Sequence, residues 1–263
     1  MDTKQHLIDY ILHLADTAHM LGQRNSAWTG HGPVLEQDIA LSNITLDLIG
    51  QARFFYQYAA ELINQSATGN TETEDTLAYL RDSNAYKNSL LAELPNGDWG
   101  QTILRQCFYS ALQVAQYSFL ADGPDRQLRA IAEKAIKEVT YHFRWSSEWV
   151  IRLGDGTAES HARMANAVAT LWPYTGELFK AASYENALRA EGLIPDLKEI
   201  HEQWKRRIYG VLDEATLTDA DRWKALETTW MQEGGKEGRH TEHLGYILAE
   251  MQFLQRAYPG NEW

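Results

Sequence analysis

The stretch from Val34 to Ile63 reads VLEQDIALSNITLDLIGQARFFYQYAAELI and contains no proline or charge cluster that would interrupt a helix. Its apolar residues recur at helical spacings, which is typical of an α-helix with apolar surface. They fall on two sides, the first formed by Leu35, Ile39, Leu46 and Ile49 and the second by Ile44, Leu48, Phe55, Ala59 and Leu62. Because each apolar side needs a neighbour, the stretch predicts a long helix near the centre of a bundle.

The rest of the chain predicts more helices and no convincing strand. The polar residues 65–74 predict a flexible loop, and the glycines at 234–238 predict a break. The predicted helical segments are 7–21, 75–81, 85–91, 98–121, 125–153, 157–182 with a kink at Pro173, 195–215, 220–232 and 241–257. No repeat and no shift in composition marks a boundary, so we predict one all-α domain over residues 1–263.

The composition restricts the function further. The chain has 24 Lys and Arg against 36 Asp and Glu, a net charge of -12, which disfavours nucleic-acid and anionic membrane surfaces as partners. The single cysteine, Cys107, excludes an internal disulfide framework and predicts a packed core thiol. The N-terminus lacks a basic segment followed by an apolar one, and no apolar run is long enough to span a membrane. We therefore expect a soluble cytoplasmic protein.

Long helices with inward polar groups can hold a di-iron carboxylate centre, which needs Glu from two helices and Glu-x-x-His from two others. Glu138 and His142 share one face of segment 125–153, but they are four residues apart and Tyr141 takes the third position. A polar group on an apolar face must be paired. The preferred interpretation is a core pair in which Glu138 and His142 hydrogen-bond to each other.

The helix at 34–63 offers Glu36, Asn43 and Asp47 on one face, and Gly50 stands where a ligand histidine would be. We interpret these three residues as a buried polar stripe that pairs with a neighbouring helix through Arg53.

The most specific evidence against a di-iron site comes from segment 98–121, because residues 99–121 contain no Asp, Glu or His. Its polar stripe consists of Thr102, Gln106, Tyr109, Gln113 and Gln116. If this helix is one of four core helices, it contributes no carboxylate, and a complete di-iron site does not form.

The remaining carboxylate–histidine motifs are weaker. Asp16 and His19 have the right spacing, but Asp16 lies with Asp9 and His13 on what looks like a solvated outer face of the first helix.

The motif Glu237-x-x-His240 lies inside the glycine-rich break, where helical geometry is doubtful. His240 and His243 could coordinate a metal, but no pair of carboxylates converges on them, and a surface or partner contact is the preferred interpretation.

Several of these segments together resemble a known family, and the match covers nearly the whole chain. They are WTGHGPVLEQDIALSN at 28–43, LDLIGQAR at 46–53, EDTLAY at 74–79, LPNG at 94–97, AIKEVTYH at 135–142, GGKEGRHTEHLG at 234–245 and LAEMQFLQR at 248–256. The sequence is similar to the C subunits of bacterial phenylacetyl-CoA epoxidases, multicomponent oxygenases of aromatic degradation.

The resemblance implies a ferritin-like bundle whose di-iron site is degenerate, with Gly50 and Tyr141 where ligand histidines would stand. It implies that a related A subunit holds the di-iron centre and the coenzyme A thioester, and epoxidises the ring with O2 and electrons from a reductase. The C subunit would be a structural partner of A, and a small B subunit would bridge such pairs. This chain itself would then contribute no catalytic, cofactor-binding or metal-binding residue.

Two hypotheses follow. The first is a non-catalytic structural subunit whose contact surface includes Trp28, Trp230 and the 234–256 segment. The alternative is a catalytic di-metal oxygenase or hydroxylase that uses Glu36, Asp47, Glu138 and His142 with ligands the sequence does not reveal. The carboxylate-free helix favours the first.

Overall fold

The computed structural model describes residues 3–65 and 71–261, and in these ranges the chain forms α-helices and short 3-10 turns without any β-strand. The helices are α1 (Thr3–Ser26), α2 (Leu35–Asn64), α3 (Glu74–Tyr79), α4 (Leu90–Glu93), α5 (Trp99–Ala121), α6 (Arg126–Gly154), α7 (Ala158–Leu171), α8 (Ser183–Ala190), α9 (Leu197–Glu214), α10 (Ala220–Glu227), α11 (Glu242–Met251) and α12 (Phe253–Ala257). The all-α class predicted from the sequence is confirmed.

Two long hairpins form the centre of the fold. Helix α1 packs along α2, α5 packs along α6, and α2 contacts α6. The predicted long helices 34–63, 98–121 and 125–153 are confirmed within one or two residues. Aspartate caps begin both helices of the second hairpin: Asp98 accepts from the Gln101 amide at 2.9 Å, and Asp125 accepts from the Leu128 amide at 2.8 Å.

Shorter helices cover the hairpins on the outside. Helices α7 and α9 pack on α5 and α6, where Phe108, Trp172 and Trp204 form the centre of one hydrophobic cluster. Helices α4 and α8 pack on α1. The packing of α4 and α8 on α1 matters for the site. Because of it, parts of α1 that the apolar periodicity alone would leave exposed lie inside the protein.

The predicted kink at Pro173 is wrong, since α7 ends at Leu171 and Pro173 lies in a 3-10 turn, Trp172–Tyr174. Proline lacks an N–H group and its ring clashes with the preceding helical turn, so the helix stops here. The predicted helix 85–91 is also wrong, because Tyr86 is extended and only Leu90–Glu93 is helical.

Towards the C-terminus the predicted segments are too long. Helix α10 ends at Glu227, where Thr228 and Thr229 bond back to main-chain carbonyls, and α11 and α12 are separated at Gln252. Residues 66–70 of the predicted loop lie outside the described ranges. No helix in the described part of the chain is long and apolar enough to cross a membrane.

Candidate functional site

An exposed apolar stripe runs along the outer side of α2. The exposed fractions are 71% for Leu35, 52% for Ile39 and 69% for Leu46, although the sequence predicted neighbours for this side. The opposite side, with Ile44, Leu48 and Phe55, is fully buried. Helix α2 belongs to the central pair of hairpins as predicted, but the described part of the chain leaves Leu35, Ile39 and Leu46 on its first apolar side uncovered. Clustered large apolar side chains on a surface are typical of an interaction site.

A polar pocket of about 160 Å³ lies beside Leu46, between α2 and α6. In and beside it, Asp47 Oδ2 lies 2.9 Å from Nε2 of the buried His142, and Glu138 Oε2 accepts from Gln51 Nε2 at 2.9 Å. The predicted mutual bond between Glu138 and His142 is wrong, because each side chain reaches across to α2 instead. The exposed ring of Tyr141 lies 6.2 Å from the His142 ring.

The predicted polar stripe on α2 is also wrong in part. Glu36 and Asn43 are exposed and only Asp47 reaches a partner on α6. Arg53 is exposed and pairs with Glu74 at 3.3 Å instead of joining this group. Of the four residues Glu36, Asp47, Glu138 and His142, the structure joins only Asp47 to His142 directly.

The polar stripe of α5 is buried, as its predicted place in the core requires. Two of its side-chain amides bond to α1. Gln106 Oε1 accepts from Asn25 at 2.7 Å, and Gln116 Nε2 donates to the Tyr10 hydroxyl at 3.1 Å. A core helix that presents amides, a hydroxyl and a phenol supplies none of the carboxylates that bridge two irons.

These residues do not fit a di-iron group. Throughout residues 3–65 and 71–261, no three His, Cys, Asp or Glu side chains lie close enough to share a metal ion. That the chain binds no metal stays a prediction, which iron analysis tests.

Comparison with known proteins identifies the family. The family model described as Phenylacetic acid catabolic protein (PaaA_PaaC) matches residues 1–263. Among curated proteins, the C subunit of the 1,2-phenylacetyl-CoA epoxidase of Escherichia coli (strain K12) is 46% identical over 257 residues, which is 98% of this chain and 99% of the relative. The chain belongs to the phenylacetic acid catabolic protein family. The resemblance inferred from the sequence motifs is thereby confirmed.

The chain also contains a buried ion pair formed by Asp16, a residue that the sequence analysis placed on a solvated face. The prediction that His13 and Asp16 belong to a solvated face is wrong, because both are buried, and only Asp9 is partly exposed. Asp16 pairs with Arg81 and accepts from the Tyr56 hydroxyl at 2.6 Å. Arg81 and the Lys87 main chain cover this side of α1, because they bond to Asp16 and His13, and no local pattern in α1 indicates these partners.

His19, also buried on α1, lies 3.4 Å from the Tyr56 hydroxyl through Nδ1 and 3.2 Å from Gln23 through Nε2. Burial lowers the pKa of His19 to about 4, so the ring is neutral.

The glycine-rich segment that precedes α11 is fixed by buried carboxylates. Glu177 accepts from the amides of Gly234 and Gly235 at 2.7 and 2.6 Å, and Lys236 pairs with Glu185 at 2.9 Å. Only glycine suits Gly234, which has φ 140°, and a side chain at 235 would collide with the Asn88 carbonyl.

The interpretation of His240 as a surface or partner contact is wrong. Its Nδ1 donates to Glu93 at 2.8 Å and its Nε2 donates to the Tyr86 carbonyl at 3.0 Å, so both nitrogens carry protons. Burial is the largest single influence and opposes the charged ring, but the hydrogen bond to Glu93, the negative charges of Glu93 and Asp16 and the bond to the Tyr86 carbonyl together outweigh it and raise the pKa of His240. His243 is half-buried and belongs to no group of potential metal ligands among the described residues.

The other predicted contact residues differ in exposure. Trp230 is 80% exposed, and Tyr246 and Phe253 from the 234–256 segment are also exposed. Trp28 is half-buried, packs edge-on against Trp99 at 5.2 Å and donates to Thr102 at 2.8 Å. Its role in this chain is packing between the α1–α2 connection and α5.

Proposed function

We propose that this chain is a structural subunit of a multicomponent phenylacetyl-CoA epoxidase that acts in aerobic phenylacetate degradation, and that it packs against the di-iron catalytic A subunit. The observation that carries the proposal is the exposed stripe of α2 beside a bundle centre whose residues do not fit a di-iron group. The name of the E. coli relative supplies the substrate class.

The spacing of the stripe indicates what covers it. Leu35, Ile39, Ser42 and Leu46 follow one another at intervals of four, three and four, which is the pattern of a seam between two packed helices. Further along, a Cβ added to Gly50 would meet no atom within 4 Å, so there is room for a neighbour at this point. The occupant we propose is a long helix of the A subunit, with the same ferritin-like fold as this chain.

The proposal extends to the rest of the complex. The di-iron centre, the coenzyme A thioester and the reductase's electrons belong to the A subunit, and a small B subunit bridges pairs of A and C. This chain is cytoplasmic, forms one ferritin-like domain and has no activity alone.

Substitution in the stripe tests the packing. Replacing Leu46 with Asp removes an apolar contact of about 1.5–3 kcal/mol, which corresponds to a heterodimer weakened by roughly ten- to a hundredfold. Leu80→Asp is the matched control, because Leu80 is an exposed leucine outside α2. The dissociation constant of each variant with purified A subunit is measured by calorimetry. Equal affinities for wild type and Leu46→Asp would refute the proposed surface.

Metal analysis tests the structural role against the catalytic alternative. After aerobic loading with iron, the purified chain should retain no stoichiometric iron and turn over no thioester. Two tightly held irons per chain would establish the di-metal alternative instead.

A further inference from the structure

The outer face of α6 carries a row of cations. We name the five exposed ones the basic stripe: Arg126, Lys134, Lys137, Arg144 and Arg152. At about 100° per residue they fall within about 80° of one another around the helix, and they extend over about 40 Å of its length. The opposite face of α6, which includes Ile131, Ala135 and Val139, is buried in the bundle. Because the whole chain has a net charge of -12, the basic stripe is a local reversal of its charge.

The basic stripe is not neutralised by its own chain. None of its five side chains forms an ion pair with a carboxylate of residues 3–65 and 71–261, whereas ten other Lys and Arg side chains do. Glu133 lies four residues before Lys137, and Glu148 lies four residues before Arg152, which is the spacing at which charges on an exposed helix pair. Neither of these pairs is closed, so the cations remain available to a partner.

Aromatic rings hold three of the cations in place. The charged groups lie 4.2, 5.7 and 4.8 Å from the ring centroids in the pairs Lys134–Phe54, Arg144–Tyr141 and Arg152–Trp149. A cation over the face of a ring is attracted to it. A side chain that is already ordered loses less conformational entropy when a partner binds, so these rings prepare the basic stripe for binding.

The basic stripe adjoins the apolar stripe of α2. Lys134 lines the pocket between α2 and α6 together with Leu46 and Gly50. The two helices are also joined further along, where Trp145 Nε1 donates to Gln37 Oε1 at 3.0 Å. The outer side of this pair of helices therefore presents one continuous surface, which is apolar along α2 and basic along α6.

We propose that this surface docks an acidic helix of a protein partner, whose carboxylates lie opposite the basic stripe while its apolar side chains cover α2. The proposal rests on the proposed function and deepens it, because it gives the charge of the A-subunit helix that covers α2. Where two helices pack through an apolar seam, the charges beside the seam set the choice of partner and its orientation. Acidic side chains beside the seam would pair with the basic stripe, and basic ones would be repelled.

The spacing of the cations favours a protein helix over a small anion. Lys137 and Arg144 are two turns apart, about 10 Å along the axis, and Arg152 lies about two turns further. A single phosphate or carboxylate group cannot contact all three, but acidic side chains at matching intervals on a packed helix can. A second copy of this chain, which is acidic overall, is the alternative occupant.

Association kinetics test the charge of the partner surface. The variant Lys137→Glu/Arg144→Glu reverses two charges at the centre of the basic stripe. Its association rate constant with purified A subunit, measured by stopped flow at low salt, should fall at least about tenfold, because charges at the edge of an interface act mainly on association. The wild-type rate constant should fall as salt is added, since salt screens the attraction, and that of the variant should not.

Two further variants serve as controls. Lys198→Glu/Arg206→Glu makes the same change of charge at exposed residues of α9, and its rate constant should stay within about twofold of the wild type. Lys137→Arg/Arg144→Lys keeps both charges and should associate like the wild type. If the reversed variant does not fold, as judged by circular dichroism, Lys137→Gln/Arg144→Gln replaces it with a smaller decrease expected.

The outcomes separate this inference from the proposed function. If the reversed variant associates as fast as the wild type while Leu46→Asp weakens the heterodimer, the acidic partner surface is refuted and the packing on α2 stands. If the wild type does not bind the A subunit, the proposed function fails and this inference fails with it. Sedimentation of the chain alone tests the alternative occupant: salt-sensitive dimers that the reversed variant abolishes would assign the surface to a second copy and overturn the proposal.

Discussion

Replacing Asp16 with Asn should lower the free energy of unfolding by about 3–5 kcal/mol, the usual cost of removing one partner of a buried ion pair. The Asp16 carboxylate is fully buried and accepts from Tyr56 at 2.6 Å, from the Lys87 amide at 2.8 Å and from Arg81 Nη1 at 3.1 Å, and also from Arg81 Nη2. An asparagine offers one oxygen in place of two, and its NH2 group would face these donors. Arg81, whose side chain is 13% exposed, would keep an unbalanced charge.

The same substitution at Asp9 is the matched control, because Asp9 lies two turns earlier on α1. Asp9 is partly exposed, and its Oδ1 lies 3.6 Å from Lys87 Nζ and 3.3 Å from Gln5 Nε2. A pair of this kind contributes less than about 1 kcal/mol. Urea unfolding of the full-length chain, followed by circular dichroism, gives both free energies under one condition.

If Asp16→Asn lowers the free energy of unfolding by no more than Asp9→Asn does, the argument is refuted. The solvated face predicted from the sequence would then be the correct description of Asp16. If Asp16→Asn does not fold, the double variant Asp16→Leu/Arg81→Met removes both charges together. Because no unpaired charge remains, this double variant should recover much of the lost stability. An equally unfolded double variant would assign the loss to packing and contradict the ion-pair explanation.

The remaining predictions concern other buried groups. Glu177→Gln should cost about 1.5–3 kcal/mol in urea unfolding, because its two oxygens serve three main-chain N–H groups, while the exposed control Glu159→Gln should be nearly neutral. Burial lowers the pKa of His19 from 6.5 to about 4, so the unfolded chain takes up the proton first. Stability should therefore fall as the pH decreases from 6.5 towards 4, and His19→Gln should show a flatter dependence. Burial raises the pKa of Cys107 to about 12, so the native thiol should resist Ellman's reagent until urea unfolds the chain.

The fold was predictable where a local signal and the tertiary structure agree. Sustained periodicity located the long helices, and the predicted segments starting at residues 98 and 125 begin at the aspartates that cap α5 and α6. The errors occur where an end depends on distant contacts. Gln252, for example, separates α11 from α12 while its amide donates to the Arg81 carbonyl and to Tyr86, far away in sequence.

The candidate site was less predictable, because periodicity identifies an apolar face without telling what covers it. Leu35 and Leu46 satisfy the same helical rule as Ile44 and Leu48, but the first two face outward and the second two face the core. Likewise, Glu138 and His142 share a face of α6 as expected. Their partners, Gln51 and Asp47, are on another helix, and the sequence of α6 alone cannot choose them.

The hydrogen-bond partners of the buried carboxylates support the proposed structural role. They support it more strongly than the small number of carboxylates in the bundle does. Glu93 accepts from Asn88, His240 and the Thr241 amide, and Glu185 accepts from Lys236 and the Ala182 amide. Each of these side chains joins segments that are distant in sequence, and its lone pairs are already directed at donors of its own chain. A metal ion could recruit such a carboxylate only by breaking several of these bonds, at about 1.5–3 kcal/mol for each bond to a charged group. The acidic residues inside this chain therefore hold its own segments together, which supports the proposal that its partner contacts are made by exposed apolar side chains such as those of α2.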